Sequence, residues 1–182
     1  MQVKPLTSLI IEPTNSCNLR CTFCFVTEGM TRKEGFMSFD LFKKVIDDCP
    51  NLEHLCMHNW GEPLLHKEIF KMFEYAHDAG VKFIVMNTNG TLLTDNLIGK
   101  IVDSTLNIIR FSIDGSAETF ERIRGVELEK IERNILKLKS EKEKRRPELS
   151  MGVVFTVEEE TQDDVDPFIS HWESIMDHVR TQ

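Results

Sequence analysis

The sequence predicts an α/β fold in which parallel strands alternate with helices. Short apolar runs and amphipathic stretches follow one another along most of the 182 residues. Repeated strand–helix units form parallel strands joined by right-handed crossovers. Polar loops of unusual composition follow four of the predicted strands. The pattern fits both a doubly wound sheet and a barrel, and periodicity alone does not choose between them.

The first half of the chain predicts three strand–helix units. Residues 6–11, 52–57 and 81–86 are short apolar runs, each typical of a buried strand. Ser38 and Thr94 are suited to cap the helices that follow them, and Gly80 stands where a helix ends. The three helices carry apolar residues at helical spacing: Phe39, Phe42, Val45 and Ile46; then Ile69, Met72, Phe73 and Ala76; then Leu97, Ile98, Ile101 and Val102.

The second half continues the alternation. Residues 106–113 predict a fourth strand, and residues 151–157 predict a fifth. The charged stretch 127–146 predicts a helix because Leu128, Ile131, Ile135 and Leu138 recur at helical spacing. Residues 167–176 suit a fifth helix, and a sixth strand is expected to begin near residues 178–180, where the sequence stops.

Four distinctive loops follow predicted strands. They contain the cysteine cluster at 17–24 and the segments 61–63, 87–90 and 112–115. In parallel α/β folds the loops after the strands converge at one edge, and that edge carries the active site. The sequence therefore predicts a functional site where these loops meet.

Composition excludes several classes of protein. The formal net charge is −8, which disfavours a nucleic-acid partner because phosphate binding needs a basic surface. No apolar run approaches the ~20 residues of a membrane helix, and the N-terminus lacks the apolar core of a secretory signal. Five cysteines, with three of them within eight residues, indicate metal binding rather than a disulfide framework. We therefore expect a cytoplasmic protein without a membrane partner.

The cysteines form a Cys17-x3-Cys21-x2-Cys24 run. Thiolates are soft ligands that suit iron–sulfur clusters and zinc. Three cysteines on a 4Fe–4S cube would leave one iron free to bind another molecule. A zinc site would need a fourth ligand, which His54 or His58 could supply. A redox pair would leave Cys17 unexplained, so the spacing favours a cluster and leaves these alternatives open.

These residues resemble the signature of the radical S-adenosylmethionine (radical SAM) superfamily. Phe23 occupies the aromatic position before the third cysteine, although Trp60 stands where the family usually has a first glycine. The motifs that match in order are Cys17 to Cys24, Gly61-Glu62-Pro63, Ser112-Ile113-Asp114-Gly115, and Glu118-x-Phe120-x-x-Ile123-Arg124-Gly125. The whole chain resembles the N-terminal core domain of the family, and it is most similar to the SPASM-associated branch.

The resemblance implies a fold and a domain boundary. It implies a partial (β/α)6 TIM-like barrel, which we expect to be truncated at or before strand six. Residues 1–182 would then form one radical SAM core domain, without the auxiliary-cluster domain of SPASM-type members. A missing last strand would leave the fifth strand as an exposed edge and lower the solubility.

The resemblance also implies an activity. Family members cleave S-adenosylmethionine reductively at a 4Fe–4S cluster, and the resulting 5′-deoxyadenosyl radical abstracts hydrogen from a substrate. For this chain the resemblance implies cluster ligation by Cys17, Cys21 and Cys24, a peptide or protein as a candidate substrate, and an electron donor such as a flavodoxin or ferredoxin. No residue is expected to act as a general acid or base. The alternative is a noncatalytic iron–sulfur or zinc protein that uses the same loop.

The resemblance places the SAM contacts on the four loops, at Phe23, Gly61, Glu62, Pro63, Asn87, Ser112 and Asp114, and on the segment that follows them, at Arg124. Glu62 would accept hydrogen bonds from the SAM ammonium group, and Arg124 would pair with the SAM carboxylate. Ser112 and Asp114 would bind the ribose hydroxyls or the methionine moiety, and Phe23 would lie against the adenine. Ordinary turn formation is the alternative explanation for the Glu62, Asn87 and Asp114 segments.

Overall fold

The computed structural model describes residues 5–182, and its centre is one six-stranded parallel sheet. The strands lie side by side in chain order, and each is parallel to its neighbours. This arrangement confirms the α/β architecture, and the sheet is not closed because β1 and β6 are its two edges. The strands are β1 (Ser8–Ile11), β2 (His54–Met57), β3 (Phe83–Thr88), β4 (Ile108–Ser112), β5 (Ser150–Phe155) and β6 (His178–Thr181).

Helices follow the strands and cover the outer face of the sheet. The predicted caps form, because Ser38 Oγ accepts from the Leu41 N–H and Thr94 Oγ1 accepts from the Leu97 N–H. Among the described residues, none of the helices has both the length and the apolarity to cross a membrane. The helices are α1 (Phe25–Glu28), α2 (Phe39–Asp47), α3 (Ile69–Asp78), α4 (Asp95–Asp103), α5 (Ala117–Arg124), α6 (Leu128–Arg145) and α7 (Val165–Trp172).

The two faces of the sheet differ in character. Successive side chains of a strand point to opposite faces, so each strand contributes to both. The outer face is fully buried against the helices and forms the core with residues such as Leu55, Ile84, Met86, Ile109, Phe111 and Val153. The inner face is more polar, and at its edge Ile10 is 64% exposed. The concave inner face is therefore open to solvent between β1 and β6.

The sixth strand is present at the predicted position, so the expected truncation before strand six is wrong. β6 pairs in parallel with β5, with Val153 opposite Val179 and Phe155 opposite Thr181. β5 is therefore an interior strand, and the prediction that it forms an exposed edge is wrong. Both true edges, β1 and β6, are only four residues long, which limits pairing with other chains.

Helix α5 has no counterpart among the predicted helices. Ser116 Oγ accepts from the Thr119 N–H at its start, and Phe120 and Ile123 are buried. Gly125 ends the helix with φ +71°, a left-handed conformation that glycine adopts without steric cost. This helix carries Arg124 and places it beside the loop that follows β1.

Candidate functional site

A cavity of about 350 Å³ opens at the carboxyl ends of the strands. All four loops singled out in the sequence contribute to it. Its lining consists of Ile10, Cys17, Cys21, Phe23, Cys24, His58, Asn59, Trp60, Gly61, Glu62, Asn87, Thr88, Asn89, Ser112, Arg124, Thr156 and Gln182. The fold thus brings together residues that are far apart in the sequence, from Ile10 to Gln182.

The loop that carries the cysteines, residues 12–24, is held against α5. We refer to it as the Cys loop. The Thr22 N–H donates to the Ile123 carbonyl at 3.0 Å, and Leu19 and Cys21 pack on the Ile123 side chain. The Cys24 N–H donates to the Cys21 carbonyl at 3.1 Å. A loop of this length is therefore fixed in place by a short helix that lies about 100 residues further along the chain.

Hydrogen bonds also close the base of the Cys loop. Thr14 forms an antiparallel bridge with Phe36, and its Oγ1 donates to the Gly35 carbonyl at 2.7 Å. The Asn15 side chain accepts from the Gly35 N–H at 2.8 Å and donates to the Lys33 carbonyl at 3.1 Å. Thr14 and Asn15 are both buried. The threonine and asparagine next to the cysteines thus order the backbone of the loop.

The three thiols lie on one wall of the cavity. Asn89 Nδ2 approaches Cys17 Sγ at 3.9 Å, and the Leu19 N–H approaches the same sulfur at 3.5 Å. Burial raises the pKa of Cys17 and of Cys21 in the metal-free chain, and the Arg124 guanidinium opposes this rise at Cys21. Since metal binding requires thiolates, binding at this wall must be coupled to proton release.

The arrangement of the three thiols bears on which metal group they could hold. Within residues 5–182, no three His, Cys, Asp or Glu side chains converge so as to hold one metal ion. A tetrahedral zinc would draw its thiolates to about 3.8 Å from one another, given Zn–S bonds of ~2.3 Å. The donor set, three soft thiolates beside a polar cavity, is suited to iron–sulfur chemistry.

Of the residues that the structure describes, Glu62 is the one acidic side chain in the cavity lining. It is 2% exposed, and its two oxygens accept from the Leu64 N–H at 3.0 Å, the Thr88 hydroxyl at 2.8 Å and the Asn89 N–H at 2.8 Å. Burial raises its pKa, and these three donors oppose the rise. By accepting from the Leu64 N–H, the Glu62 carboxylate stabilises a turn, which is the alternative role that the sequence left open. It also joins the loop after β2 to the loop after β3.

Gly61 allows two loops to approach closely. A Cβ atom at this position would overlap the Thr14 carbonyl oxygen and would lie 2.8 Å from the Ser16 carbonyl oxygen. The neighbouring Glu62 N–H donates to the same Ser16 carbonyl at 2.9 Å. Pro63 begins a 3-10 helix, Pro63–Leu65, and is buried outside the cavity lining. Gly61 is therefore required for the contact between the Gly61-Glu62-Pro63 segment and the Cys loop.

Arg124 and Asp114 form a buried ion pair. Arg124 donates to Asp114 Oδ2 from Nε at 2.7 Å and from Nη2 at 2.6 Å. Asp114 Oδ1 accepts from the Thr156 N–H at 3.0 Å, so both carboxylate oxygens are occupied. Asp114 is fully buried and does not line the cavity, whereas Arg124 does. In this geometry the Asp114 carboxylate positions Arg124 at the cavity, and its own contact with a ligand stays a prediction.

Two buried polar atoms of the cavity have no hydrogen-bond partner among the described residues. They are Asn87 Oδ1 and His58 Nδ1. Burial, together with the nearby Arg110 guanidinium, lowers the pKa of His58 to about 4, so its imidazole is neutral at physiological pH. Unpartnered buried polar atoms are rare in folded proteins. Their presence in the cavity wall therefore indicates a polar ligand.

Aromatic side chains form the rim near the Cys loop. Phe23 is half-buried and packs with Leu19, Cys21 and Ile123. Trp60 is 38% exposed and meets the Phe25 ring edge-on at 4.8 Å. The Trp60 N–H donates to Glu12 Oε1 at 3.1 Å. The tryptophan that replaces the usual glycine is thus accommodated at the mouth of the cavity and does not fill it.

Most of the predicted site residues line one cavity. The three cysteines, Phe23, Gly61, Glu62, Asn87, Ser112 and Arg124 do so, whereas Pro63 and Asp114 lie behind them. The sequence analysis considered His58 only as a possible zinc ligand. It did not predict that Thr156 and Gln182 line the cavity. A signal for the last two was available, because each directly follows a strand on the same edge of the sheet as the four loops.

Comparison with known proteins gives a consistent result. A curated relative, the tungsten-containing aldehyde ferredoxin oxidoreductase cofactor-modifying protein of Pyrococcus furiosus, is 33% identical over 159 residues, which are 82% of this chain and 44% of that protein. The AdoMet-dependent heme synthase of Methanosarcina barkeri is 33% identical over 117 residues, which are 63% of this chain and 33% of that protein. The chain thus spans less than half the length of these relatives.

Solved structures share the fold over nearly the whole chain. Streptococcus suis SuiB bound to S-adenosylmethionine has a TM-score of 0.76 at 15% identity, covering 97% of this chain and 40% of that one. The anSMEcpe structure with bound AdoMet has a TM-score of 0.76 at 22% identity, covering 98% and 51%. SuiB has also been solved with its precursor peptide SuiA, with a TM-score of 0.71 at 16% identity, covering 97% and 39%.

The family assignment rests on the length of the sequence match. The profile of the Radical SAM superfamily matches residues 11–170, which include the three cysteines and every strand from β2 to β5. Membership in this family implies S-adenosylmethionine and an iron–sulfur cluster as cofactors. The chain belongs to the Radical SAM superfamily.

Proposed function

We propose that this chain is the catalytic core of a radical SAM enzyme. The observation that carries the proposal is that three thiols share one 350 Å³ cavity with Glu62, Asn87, Ser112 and Arg124. When bound, a 4Fe–4S cluster with S-adenosylmethionine supplies reductive cleavage to methionine and a 5′-deoxyadenosyl radical that abstracts hydrogen from a substrate. Cys17, Cys21 and Cys24 would hold the cluster, and the wall opposite would hold the nucleotide.

The charged groups of the cavity suit the amino acid end of S-adenosylmethionine. A carboxylate offers about four acceptor sites, and Glu62 uses three of them within the chain. The remaining site can accept a hydrogen bond from an ammonium group, and the opposite charge would lower the pKa of Glu62. Arg124 donates two of its five N–H groups to Asp114, and the others can donate to the carboxylate of a ligand.

The uncharged groups suit a nucleoside. Asn87 Oδ1 has no partner among the described residues and is free to accept from a hydroxyl or amino group. Ser112 ends β4 at the cavity wall, within reach of the same ligand. Phe23 offers an aromatic face at the rim beside the Cys loop. We assign these three residues to the ribose and the adenine. The backbone at Gly61 forms part of the same wall, and Pro63 supports it from behind.

The substrate and the electron donor belong to the proposal as well. A peptide or protein is the candidate substrate, because SuiB, which shares this fold, was solved with its precursor peptide. The electron would come from a small carrier such as a flavodoxin or ferredoxin. The open gap between β1 and β6 gives a substrate direct access to the cavity, since Ile10 at its edge is 64% exposed.

Product analysis tests the proposal. The chain is reconstituted anaerobically with iron and sulfide, then reduced with dithionite in the presence of S-adenosylmethionine. We expect 5′-deoxyadenosine from the parent and from Cys49→Ser, which alters a cysteine outside the cavity, and none from Cys21→Ser. Zinc in the purified protein together with no 5′-deoxyadenosine from the parent would overturn the proposal in favour of a noncatalytic metal protein.

A further inference from the structure

A basic group occupies the inner face of the sheet next to the cavity. The cavity residues Asn87 and Ser112 point inward, and the alternation of side chains directs the residue two positions before Ser112 to the same face. That residue is Arg110, which is the register partner of Asn87 on β3 and of Gly152 on β5. It lies about 7 Å below Ser112 along β4.

His178 and Arg180 of β6 complete this group. Arg110 Nε donates to His178 Nε2 at 3.1 Å, and His178 Nδ1 lies 3.3 Å from the Ser150 hydroxyl. Gly152 provides the space, because a Cβ atom there would overlap the His178 ring. Arg180 is exposed at the edge of the sheet and follows His178 on the same face. We call Arg110, His178 and Arg180 the basic layer.

Within residues 5–182, neither arginine of the basic layer forms an ion pair with a carboxylate, whereas Asp177 acts on the neighbouring His178. Arg110 is 9% exposed, and its described hydrogen bond goes to an imidazole rather than to a carboxylate. No described carboxylate forms an ion pair with Arg110 or with Arg180, although the chain has 30 acidic residues. Burial and the proximity of Arg180 lower the pKa of Arg110. Burial and the two arginines lower the pKa of His178, and the Asp177 carboxylate opposes that fall. Buried charges are normally paired, so an unpaired guanidinium is costly.

We infer that the basic layer binds a carboxylate or phosphate group of the substrate. A planar guanidinium holds such groups in a bidentate geometry, and Arg110 and Arg180 can approach one anion from neighbouring positions. His58 Nδ1 and Asn87 Oδ1, which have no partner among the described residues, line the cavity beside this layer, and Asn87 is the register partner of Arg110. The inference deepens the proposed function, on which it rests for the identity of the anion as substrate. It requires a substrate with at least one acidic group.

Two features separate this layer from the nucleotide wall. Arg124, which we assign to the carboxylate of S-adenosylmethionine, lies on α5 and is held by Asp114. Arg110 and Arg180 lie on strands, on the open inner face and outside the residues that line the cavity. The anion bound by the basic layer is therefore distinct from the cofactor. A peptide could supply it through an acidic side chain or its carboxyl terminus.

Calorimetric titration tests the inference on the full chain. The probes are succinate, its neutral analogue succinamide, and inorganic phosphate, at constant ionic strength. We expect saturable binding of succinate or phosphate but not of succinamide, and the anion that binds more tightly identifies the acidic group. Arg110→Gln and Arg180→Gln should each weaken association about tenfold, since a charge-assisted pair is lost. Arg133→Gln, at an exposed arginine of α6, should leave the affinity unchanged.

Several outcomes would overturn the inference. They are the absence of saturable anion binding, equal affinity in Arg133→Gln and Arg180→Gln, and displacement of succinate by S-adenosylmethionine. Arg180 is exposed, so its substitution leaves the fold intact, which a melting curve verifies. The titration is run with and without iron. If the chain binds the anion but takes up no iron–sulfur cluster, only the proposed function is contradicted. If the chain takes up the cluster but binds no anion, only the inference about the basic layer is contradicted.

Discussion

Asp114 and Arg124 are bound by two hydrogen bonds, at 2.7 Å and 2.6 Å, in a site where neither side chain is more than 8% exposed. The pair connects the loop after β4 to the end of α5, and α5 in turn supports the Cys loop through Ile123. A long-range chain of contacts therefore links the strand-four motif to the cysteines. The two motifs therefore depend on each other for their structure, independently of any ligand that they bind.

Removing the charge of Asp114 should destabilise the protein strongly. Asp114→Asn leaves the Arg124 guanidinium buried without a counter-ion, which costs about 3 kcal/mol in the free energy of unfolding. The matched control is Arg122→Gln, which breaks the exposed pair with Glu160 and should cost less than about 1 kcal/mol. Urea denaturation of the metal-free chain measures both. Equal stability of the two variants would show that the buried pair is not essential.

Adding one methyl group at Gly61 should separate the two loops. In Gly61→Ala the Cβ overlaps the Thr14 carbonyl, so the backbone must move and the Glu62 N–H to Ser16 bond weakens. We expect a loss of about 1–3 kcal/mol. Gly99→Ala is the control, because a Cβ there meets no atom within 4 Å and helix α4 should gain about 0.5–1 kcal/mol. The melting temperatures of both variants measure these effects. A shift of both temperatures in the same direction would contradict the role of Gly61 in the contact between the two loops.

Stability should fall on the acid side of neutrality because of His58. Burial lowers the pKa of His58 to about 4 in the folded chain, from the ordinary histidine value of 6.5. Between these values the unfolded chain binds a proton that the folded chain does not, so folding loses free energy as the pH falls from about 6.5 to about 4. The loss reaches about 3 kcal/mol at most. Denaturation curves at several pH values should show a shallower decline for His58→Gln, and an identical decline would contradict the assignment.

Much of the fold could be read from the sequence because its signals are local. The Ser38 and Thr94 caps and the apolar stripes of α2, α3, α4 and α6 depend on residues within a few turns of one another. Helix α5 was missed although it has a comparable signature, a Ser116 cap and a terminal Gly125. Only eight residues long, it was interpreted as a sequence motif and not as a helix.

The candidate site was predicted in its location but not in its contacts. Parallel strands place their following loops at one edge, so the four motifs had to converge. Which carboxylate pairs with which donor depends on tertiary packing, and no spacing rule indicates that Asp114 faces Arg124 or that Glu62 faces Asn89. The basic layer could not be predicted either, because its contacts also depend on tertiary packing. Arg110 and His178 are 68 residues apart in the sequence.

The iron content of the reconstituted chain tests the central claim most directly. We expect about four irons per chain in the parent and in Cys49→Ser, because one cube needs three thiolates and leaves one iron for the cofactor. Cys17→Ser, Cys21→Ser and Cys24→Ser should each lose most of that iron. A single tightly bound metal ion per chain, or full iron loading in any of these three variants, would contradict the account.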